Sequence, residues 1–244
     1  MKIKILGISA SPRSKGNTEY LLEEALRGAR SCQLAEIEVE KYSTAGKKYL
    51  PCTACFACSK LNGHCIQEKN DDFGELRDKW LMADGIILAS PVYHMGIPGH
   101  FKSFIDRLGN SLGFRYPKIG KHLKVYGIIS QGCHIFAGQE HVVTQLINHA
   151  LVMGNVVISG DMWESYIGGC GWTEGSVQRD SLARLYTMRK STDAQITVKA
   201  CYSLGKRVAE LAAIIKTGVI KYIDYLEKDE VYKPLIDRIR RSIK

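Results

Sequence analysis

The chain has 244 residues, 45% of them hydrophobic and 24% charged, which is enough apolar material for a full core in one generous domain. No stretch reaches the roughly 18 consecutive apolar residues of a membrane span, and the start of the chain lacks the apolar core of a signal peptide, so we predict a cytoplasmic protein with no membrane partner. The net charge is +9, but its densest patch, in the tail, lacks interleaved aromatics and a DNA-reading motif, which argues against a nucleic-acid partner. We interpret that patch as the solvated face of a C-terminal helix; its residues are Lys233, Arg238, Arg240, Arg241 and Lys244.

Short apolar runs alternate with helical patterns from the amino terminus onward. The apolar runs predict five strands, at residues 3–8, 37–39, 85–89, 123–129 and 156–159. Apolar residues at helical spacing predict helices around residues 21–29, 73–81, 101–108, 141–151 and 197–215. Asn17 is expected to cap the first helix, and the glycine-rich residues 160–175 are expected to form a long loop.

Short, nearly all-apolar strands separated by helices are typical of a parallel sheet that is buried on both faces. We therefore predict an α/β fold, a doubly wound parallel sheet of five strands, in residues 1–217. Residues 218–244 are predicted to form a C-terminal helical extension.

The loop after the first predicted strand has the character of a phosphate site. It lies between the carboxyl end of a strand and the amino end of a helix, where free N–H groups and the helix dipole attract an anion. Hydroxyls can donate to phosphate oxygens and an arginine can add a charged fork. The candidate phosphate-binding residues are Ser9, Ser11, Arg13, Ser14, Gly16, Asn17 and Thr18.

This loop resembles the S-x-S-P-R…N-T loop of the NAD(P)H-dependent FMN reductases and their flavodoxin-like relatives. Two later segments agree: residues 90–96, Ser-Pro-Val-Tyr-His-Met-Gly, are similar to the family's S-P-V-Y loop, and residues 130–133, Ser-Gln-Gly-Cys, stand at its third flavin loop. The resemblance implies a flavodoxin-like fold that binds FMN at the sheet's switch point. It implies that the flavin ring contacts Pro91, Val92, Tyr93, His94, Met95, Gly96, Gln131 and Gly132.

Four of the eight cysteines lie in a cysteine loop, residues 50–66: Cys52, Cys55, Cys58 and Cys65, with the spacing C-x2-C-x2-C-x6-C. In a cytosolic protein such a group indicates metal binding rather than disulfides. Three thiolates at intervals of three can surround an iron–sulfur cubane, with the fourth reaching in. Zinc more often uses two separated pairs or adds histidine, and unfilled thiols can pack as small hydrophobes, so both alternatives remain.

The cysteine spacing also resembles the compact motif of the iron–sulfur flavoproteins, a branch of the same family. This resemblance implies one [4Fe–4S] cluster on Cys52, Cys55, Cys58 and Cys65, close to a flavin in a homodimer or homotetramer.

The sequence thus predicts an FMN-dependent oxidoreductase with a [4Fe–4S] cluster, which passes electrons from ferredoxin or NAD(P)H to a small-molecule acceptor. No catalytic acid or base is assigned, since the flavin itself accepts and delivers hydride. The alternatives are an electron carrier between protein partners, an NAD(P)H-dependent FMN reductase without a cluster, and a zinc-stabilised regulator without redox chemistry.

Overall fold

A computed structural model describes residues 1–113, 115 and 120–243 of the chain. Its centre is a parallel sheet with the strand order β2-β1-β3-β4-β5, and a short sixth strand also pairs with β4. The strands are β1 Lys2–Ser9, β2 Glu36–Ser43, β3 Gly85–Pro91, β4 Val125–Gln131, β5 Val156–Val157 and β6 Gly169–Gly171. This order is that of a flavodoxin-like doubly wound sheet, so the predicted fold class is confirmed.

Helices cover both faces of the sheet and form the carboxyl-terminal part of the chain. The helices are α1 Asn17–Arg30, α2 Ala57–Lys60, α3 Phe73–Met82, α4 Gly99–Gly113, α5 Gln139–Val152, α6 Ser181–Thr187, α7 Thr192–Lys221, α8 Ile223–Leu226 and α9 Lys233–Ile243. Two 3₁₀ turns span Trp163–Ser165 and Glu230–Tyr232. Within the described ranges, no helix is both long and apolar enough to cross a membrane.

Alternate residues of each central strand face opposite layers of the core, as the pleat requires. In β1, Ile3 and Ile5 pack with α1 and α7, whereas Leu6 and Ile8 pack with α3, α4 and α5. Both sides are apolar, which explains why the central strands read as continuous hydrophobic runs rather than as alternating patterns.

Helices α1 and α7 approach each other closely at two glycines. A Cβ on Gly28 would lie 1.9 Å from the carbonyl oxygen of Tyr202, and one on Gly205 would lie 1.8 Å from that of Ala25. Any side chain at either position would collide with backbone, so these glycines allow the two helices to pack backbone against backbone.

The fifth position in the sheet is divided between two short strands. β5 pairs only with Val125 and Tyr126, and β6 pairs with β4 at Ile129, Ser130 and Gln131. The predicted strand at residues 156–159 is therefore shorter than expected, and the prediction of an uninterrupted loop at residues 160–175 is wrong in part. Glycine-rich β6 gives no periodic signal, because its glycines are needed for close packing: a Cβ on Gly169 would lie 2.3 Å from Cys201 Sγ.

The basic tail is only partly a solvated face. Lys233, Arg240 and Arg241 are exposed, but Arg238 is only 5% exposed. Arg238 donates to the carbonyl oxygen of His122 at 2.7 Å, which holds α9 against the amino end of the sheet. The interpretation of the patch as solvent-exposed is therefore wrong for Arg238, and Lys244 lies outside the described residues. The division proposed at residue 217 falls inside α7 and stays a prediction.

His149 on α5 is expected to make the free energy of unfolding depend on pH. Its pKa is lowered from an ordinary value near 6.5 to about 4, chiefly by burial, with smaller effects from Asp106, which raises the pKa, and Lys102, which lowers it. Between these values the unfolded chain binds a proton that the folded protein does not. Stability should therefore fall as the pH drops through this window, by about 3 kcal/mol in all.

Urea unfolding of the wild type and of His149→Gln at pH 7.5 and pH 5 checks this prediction. The variant should lose less stability than the wild type on acidification, because it has no imidazole to protonate. His141→Gln, an exposed change on the same helix, serves as the control and should behave as the wild type. Equal losses in the wild type and His149→Gln would contradict the prediction.

Candidate cofactor site

Three predicted site loops meet at the carboxyl edge of the sheet. They follow β1, β3 and β4, which are neighbours: Ser9 pairs with Ala89, and Pro91 pairs with Gln131. The N–H of Val92 donates to the carbonyl oxygen of Gln131 at 2.8 Å, which ties the second loop to the third. In open α/β sheets, ligands bind at this edge where the strand order reverses. The structure thus brings the three predicted loops together.

The first loop leaves the start of α1 open to an anion. Its N-cap residue, Gly16, has no side chain to satisfy the first-turn N–H groups, and a Cβ there would meet only open space and one distant carbonyl. Ser9 buries its hydroxyl without a partner among the described residues. The hydroxyl of Ser11, by contrast, holds the turn by accepting from the N–H of Arg13 at 3.1 Å. Ser14 is exposed and Thr18 is buried.

Asn17 does not cap α1 as predicted, because its side chain reaches a distant segment. Its amide donates to the carbonyl oxygen of Gln178 at 2.8 Å and accepts from the N–H of Leu182 at 2.9 Å. In the same region, Arg13 donates to the carbonyl oxygen of Val177 at 3.0 Å. The segment before α6 therefore crosses the first loop, a contact of more than 160 residues' separation that no local pattern could indicate.

A buried carboxylate stands beside the same loop. Glu19, 8% exposed, accepts from the N–H of Lys15 at 2.8 Å and from Lys41 Nζ at 2.6 Å. Burial alone would raise its pKa, but these hydrogen bonds outweigh it and lower the pKa below the ordinary value. Glu19 is therefore ionised at neutral pH and places a negative charge near the open end of α1. The ammonium group of Lys41 offsets this charge.

The second loop contains a tight two-residue turn. Tyr93 and Gly96 exchange backbone hydrogen bonds of 2.8 and 3.0 Å, while His94 and Met95 have φ angles of 45° and 67°. Two successive left-handed residues without glycine are strained, at about 1–3 kcal/mol each, and such strain concentrates at functional sites. The turn leaves Tyr93 and Met95 exposed at the sheet edge, at 45% and 54%.

The third loop is held against β6. The N–H of Gly132 donates to the carbonyl oxygen of Gly171 at 3.0 Å, and the buried Gln139 amide donates to the same oxygen at 3.3 Å. A cavity of about 470 Å³ opens between this loop and the second one; its lining includes Met95, Phe136, Gln139, Cys170 and Trp172. Burial raises the pKa of Cys170 to about 11, so its thiol is neutral at physiological pH. The lining combines aromatic and aliphatic side chains with the polar Gln139, Glu140 and His141, which suits a small organic molecule that has both an apolar face and polar groups.

The chain leading into the cysteine loop runs along α4. Thr44 Oγ1 lies 3.1 Å from His100 Nε2, and the ring of Tyr49 packs 5.4 Å from that of Phe104. Further along, the amide of Asn110 lies 3.4 Å from Cys52 Sγ. α4 begins just after the second loop, so it connects the sheet edge to the cysteines. At a rise of about 1.5 Å per residue, the start of α4 at the sheet edge and Asn110 beside Cys52 lie roughly 15 Å apart along the helix.

All four predicted ligand cysteines line one small cavity. Cys52, Cys55, Cys58 and Cys65 surround a space of about 30 Å³ beside α4. None of the four forms a disulfide. In the described part of the chain, however, no three His, Cys, Asp or Glu side chains are arranged as a finished metal site. The donor type fits an iron–sulfur cluster, and the loop would have to adjust for all four thiolates to bind it.

A buried ionic network anchors the cysteine loop. Asp71 accepts from the N–H of Leu50 at 2.8 Å and pairs with Arg107 of α4. Glu68 accepts from the N–H of Cys65 at 3.1 Å and pairs with Arg77. The pKa of Glu68 is lowered, because hydrogen bonds and charges outweigh a burial effect that would raise it. No sequence motif marks these acids and arginines, because only folding brings them together.

The three loops and the four cysteines lie within a segment that matches a known protein family. A family model described as NADPH-dependent FMN reductase matches residues 3–165, about two-thirds of the chain, and this range includes the three loops and the four cysteines. The chain belongs to the NADPH-dependent FMN reductase family. It is a flavin-dependent oxidoreductase with a flavodoxin-like fold.

Relatives within this FMN reductase family carry a more specific name. An iron–sulfur flavoprotein of Methanocaldococcus jannaschii is 36% identical over 218 residues, which cover 88% of this chain and all of the relative. An iron–sulfur flavoprotein of Methanosarcina thermophila is 32% identical over 170 residues, which cover 70% of this chain and 83% of the relative. A solved NAD(P)H:quinone oxidoreductase of Methanothermobacter marburgensis superposes with a TM-score of 0.58 at 13% identity, covering 85% of this chain and 100% of that one.

Proposed function

We propose that the protein is an FMN-dependent oxidoreductase in which a [4Fe–4S] cluster exchanges electrons with FMN, and FMN reduces a small acceptor. The observation that carries the proposal is the cysteine cavity: all four cysteines of the predicted motif line one space beside α4, in a chain of an FMN reductase family. The relatives named iron–sulfur flavoproteins support the same interpretation. When bound, FMN supplies hydride and electron transfer, and the cluster supplies single-electron transfer.

The chain's own residues bind and orient FMN in this proposal. The phosphate is held by the open N–H groups at the start of α1, by Arg13, and by the Ser9 hydroxyl, which has no partner among the described residues. The strained turn at His94 and Met95 presents its backbone to the ring, and Gln131 and Gly132 approach it from the third loop. The 470 Å³ cavity beside the turn then receives the acceptor, with Phe136 and Trp172 on its walls.

The cysteines Cys52, Cys55, Cys58 and Cys65 would hold the cluster after a local adjustment of the loop. Ala54 and Phe56, between the first three cysteines, already have left-handed backbones, with φ angles of 51° and 54°. A left-handed residue between each pair of neighbouring cysteines bends the chain, so that successive cysteine side chains can face one centre. Electrons enter from ferredoxin or from NAD(P)H.

We further propose a homodimer or homotetramer in the cytoplasm, with residues 1–217 as the FMN domain and 218–244 as an extension. Large apolar side chains near the acceptor cavity and in the segment before β6 are unusually exposed. Phe136 is 89% exposed and Trp163 is 91% exposed. Contact with another subunit would remove this apolar surface from water.

Anaerobic purification followed by assays of FMN, iron, sulfide and zinc on one sample tests the proposal. We expect one FMN and about four irons per chain. FMN without iron would leave an FMN reductase with an empty cysteine loop, and zinc in place of iron would reject the cluster. Turnover of a quinone with NAD(P)H, or with reduced ferredoxin alone, then identifies the donor.

Arg13→Ala is expected to weaken FMN binding about ten- to a hundredfold, because a charge-assisted hydrogen bond contributes about 1.5–3 kcal/mol. Fluorescence titration of the apoprotein with FMN measures the dissociation constant. Arg27→Ala, at the opposite end of α1, is the control and should bind FMN as the wild type does. Equal affinities for the wild type and Arg13→Ala would remove Arg13 from the phosphate site.

A further inference from the structure

Arg107 shares the cavity that the four cysteines line. It lies on α4, and its side chain is 1% exposed. Its partner Asp71 is fully buried, with 0% of its side chain exposed. A charge pair this deeply buried beside a cavity is costly unless all of its hydrogen-bonding groups are used.

Only one of the three nitrogens of the Arg107 guanidinium has hydrogen-bond partners among the described residues. Nη1 bonds to Asp71 and donates to the carbonyl oxygen of Leu50 at 3.3 Å, and the group lies 4.2 Å from the centroid of the Phe73 ring. Nε and Nη2 are buried with no hydrogen-bond partner among the described residues. A buried N–H without an acceptor costs about 1–3 kcal/mol, so Nε and Nη2 call for an acceptor that the described residues do not provide.

We infer that Arg107 is a positioning residue for the iron–sulfur cluster, which donates its free N–H groups to the cluster's sulfur atoms and raises its reduction potential. This inference rests on the proposed cluster. Four thiolates make the cubane net negative, and its reduction adds one electron, from ferredoxin or flavin, without forming or breaking a bond. A nearby cation stabilises the more negative reduced form more than the oxidised form, so the potential rises.

Asp71 should act in the opposite direction. Its carboxylate neutralises part of the Arg107 charge from the far side of the pair. Removing the Asp71 charge therefore leaves a stronger positive field at the cavity and should raise the cluster potential. If the pair acts electrostatically, removing Arg107 and removing Asp71 should shift the cluster's reduction potential in opposite directions. If the pair is only structural, either change should disturb the cluster site in the same way.

The test is a redox titration of the anaerobically purified protein, followed by electron paramagnetic resonance, with iron assayed in each sample. In Arg107→Gln we expect the equilibrium constant for cluster reduction to fall about tenfold, a potential about 59 mV lower for one electron. In Asp71→Asn it should rise. Lys102→Gln removes an exposed charge from the same helix and is the control, expected to leave the potential unchanged.

Loss of folding does not end the test. If Arg107→Gln fails to load iron, Arg107→Lys keeps the charge and the pair with Asp71 but lacks the planar fork, and its potential should lie below that of the wild type. A wild-type potential in the loaded Arg107 variants, or shifts of the same sign in the Arg107 and Asp71 variants, would overturn the inference. A wild type that holds no iron would instead reject the proposed function on which it rests.

Discussion

Replacing Cys58 with serine is expected to remove at least nine-tenths of the iron while leaving FMN in place. Cys58 lies at the centre of the predicted motif and lines the same cavity as Cys52, Cys55 and Cys65. A serine hydroxyl is a poor substitute for a thiolate, and a cubane with three cysteine ligands is held far less firmly. The predicted FMN loops lie at the sheet edge, toward the other end of α4, so flavin content should not change.

Iron, sulfide and FMN assays on anaerobically purified Cys58→Ser measure the effect. Cys32→Ala is the matched control, since Cys32 is buried at the end of α1 and lies outside the cysteine loop. This control should keep its full iron content. A Cys58→Ser protein that retains the wild-type iron would show that the loop is not the cluster site. Loss of iron and FMN together would indicate that the two sites are not independent.

The central sheet could be predicted from the sequence because its signals are local. Residues 85–89 are all buried in β3, as their continuous apolar composition indicates. Once the strands are parallel, the convergence of the loops at Ser9, Pro91 and Gln131 follows from topology alone. Strand patterns and a parallel sheet are therefore sufficient to predict that the three candidate loops lie at the same edge.

The contacts that complete the site could not be predicted, because they join residues far apart in the chain. Asn17 is a good capping residue by type, yet its amide is used by Gln178 and Leu182. Arg107 follows Asp106 on an amphipathic helix and looks like any surface arginine, but folding brings it to Asp71. Helix propensity reflects interactions within a residue's own turn of helix. The roles of Asn17 and Arg107 depend instead on tertiary contacts with residues far away in the chain.

Arg238 illustrates the same limit in the tail. It follows Leu235 by three residues on α9, so helical geometry places it on the buried face that Leu235 also occupies. Composition suggested a uniformly basic, solvated helix. Arg238 can be buried because it donates to the carbonyl oxygen of His122 and lies within ion-pair distance of Asp84, the residue before β3.

Asp84→Asn is expected to destabilise the protein by about 3–5 kcal/mol, the usual cost of stranding buried charges. Asp84 is 3% exposed and accepts from the N–H of Lys4 and from Lys216 Nζ, both at 3.0 Å. Its other oxygen lies 3.3 Å from Arg238 Nε, close enough for an ion pair but without hydrogen-bond alignment. The neutral amide would leave Lys216 and Arg238 as buried cations with no acidic partner among the described residues.

Urea unfolding gives the free-energy change, and limited proteolysis reports whether α9 detaches first. Glu40→Gln is the control: it breaks an exposed ion pair with Lys79 at the edge of the same sheet and should cost less than about 1 kcal/mol. Adding Lys216→Met to Asp84→Asn removes one stranded cation, so the double variant should be less destabilised than the sum of the single changes. Additive losses, or a cost for Asp84→Asn no larger than for Glu40→Gln, would mean that Asp84 does not hold the tail and the sheet together.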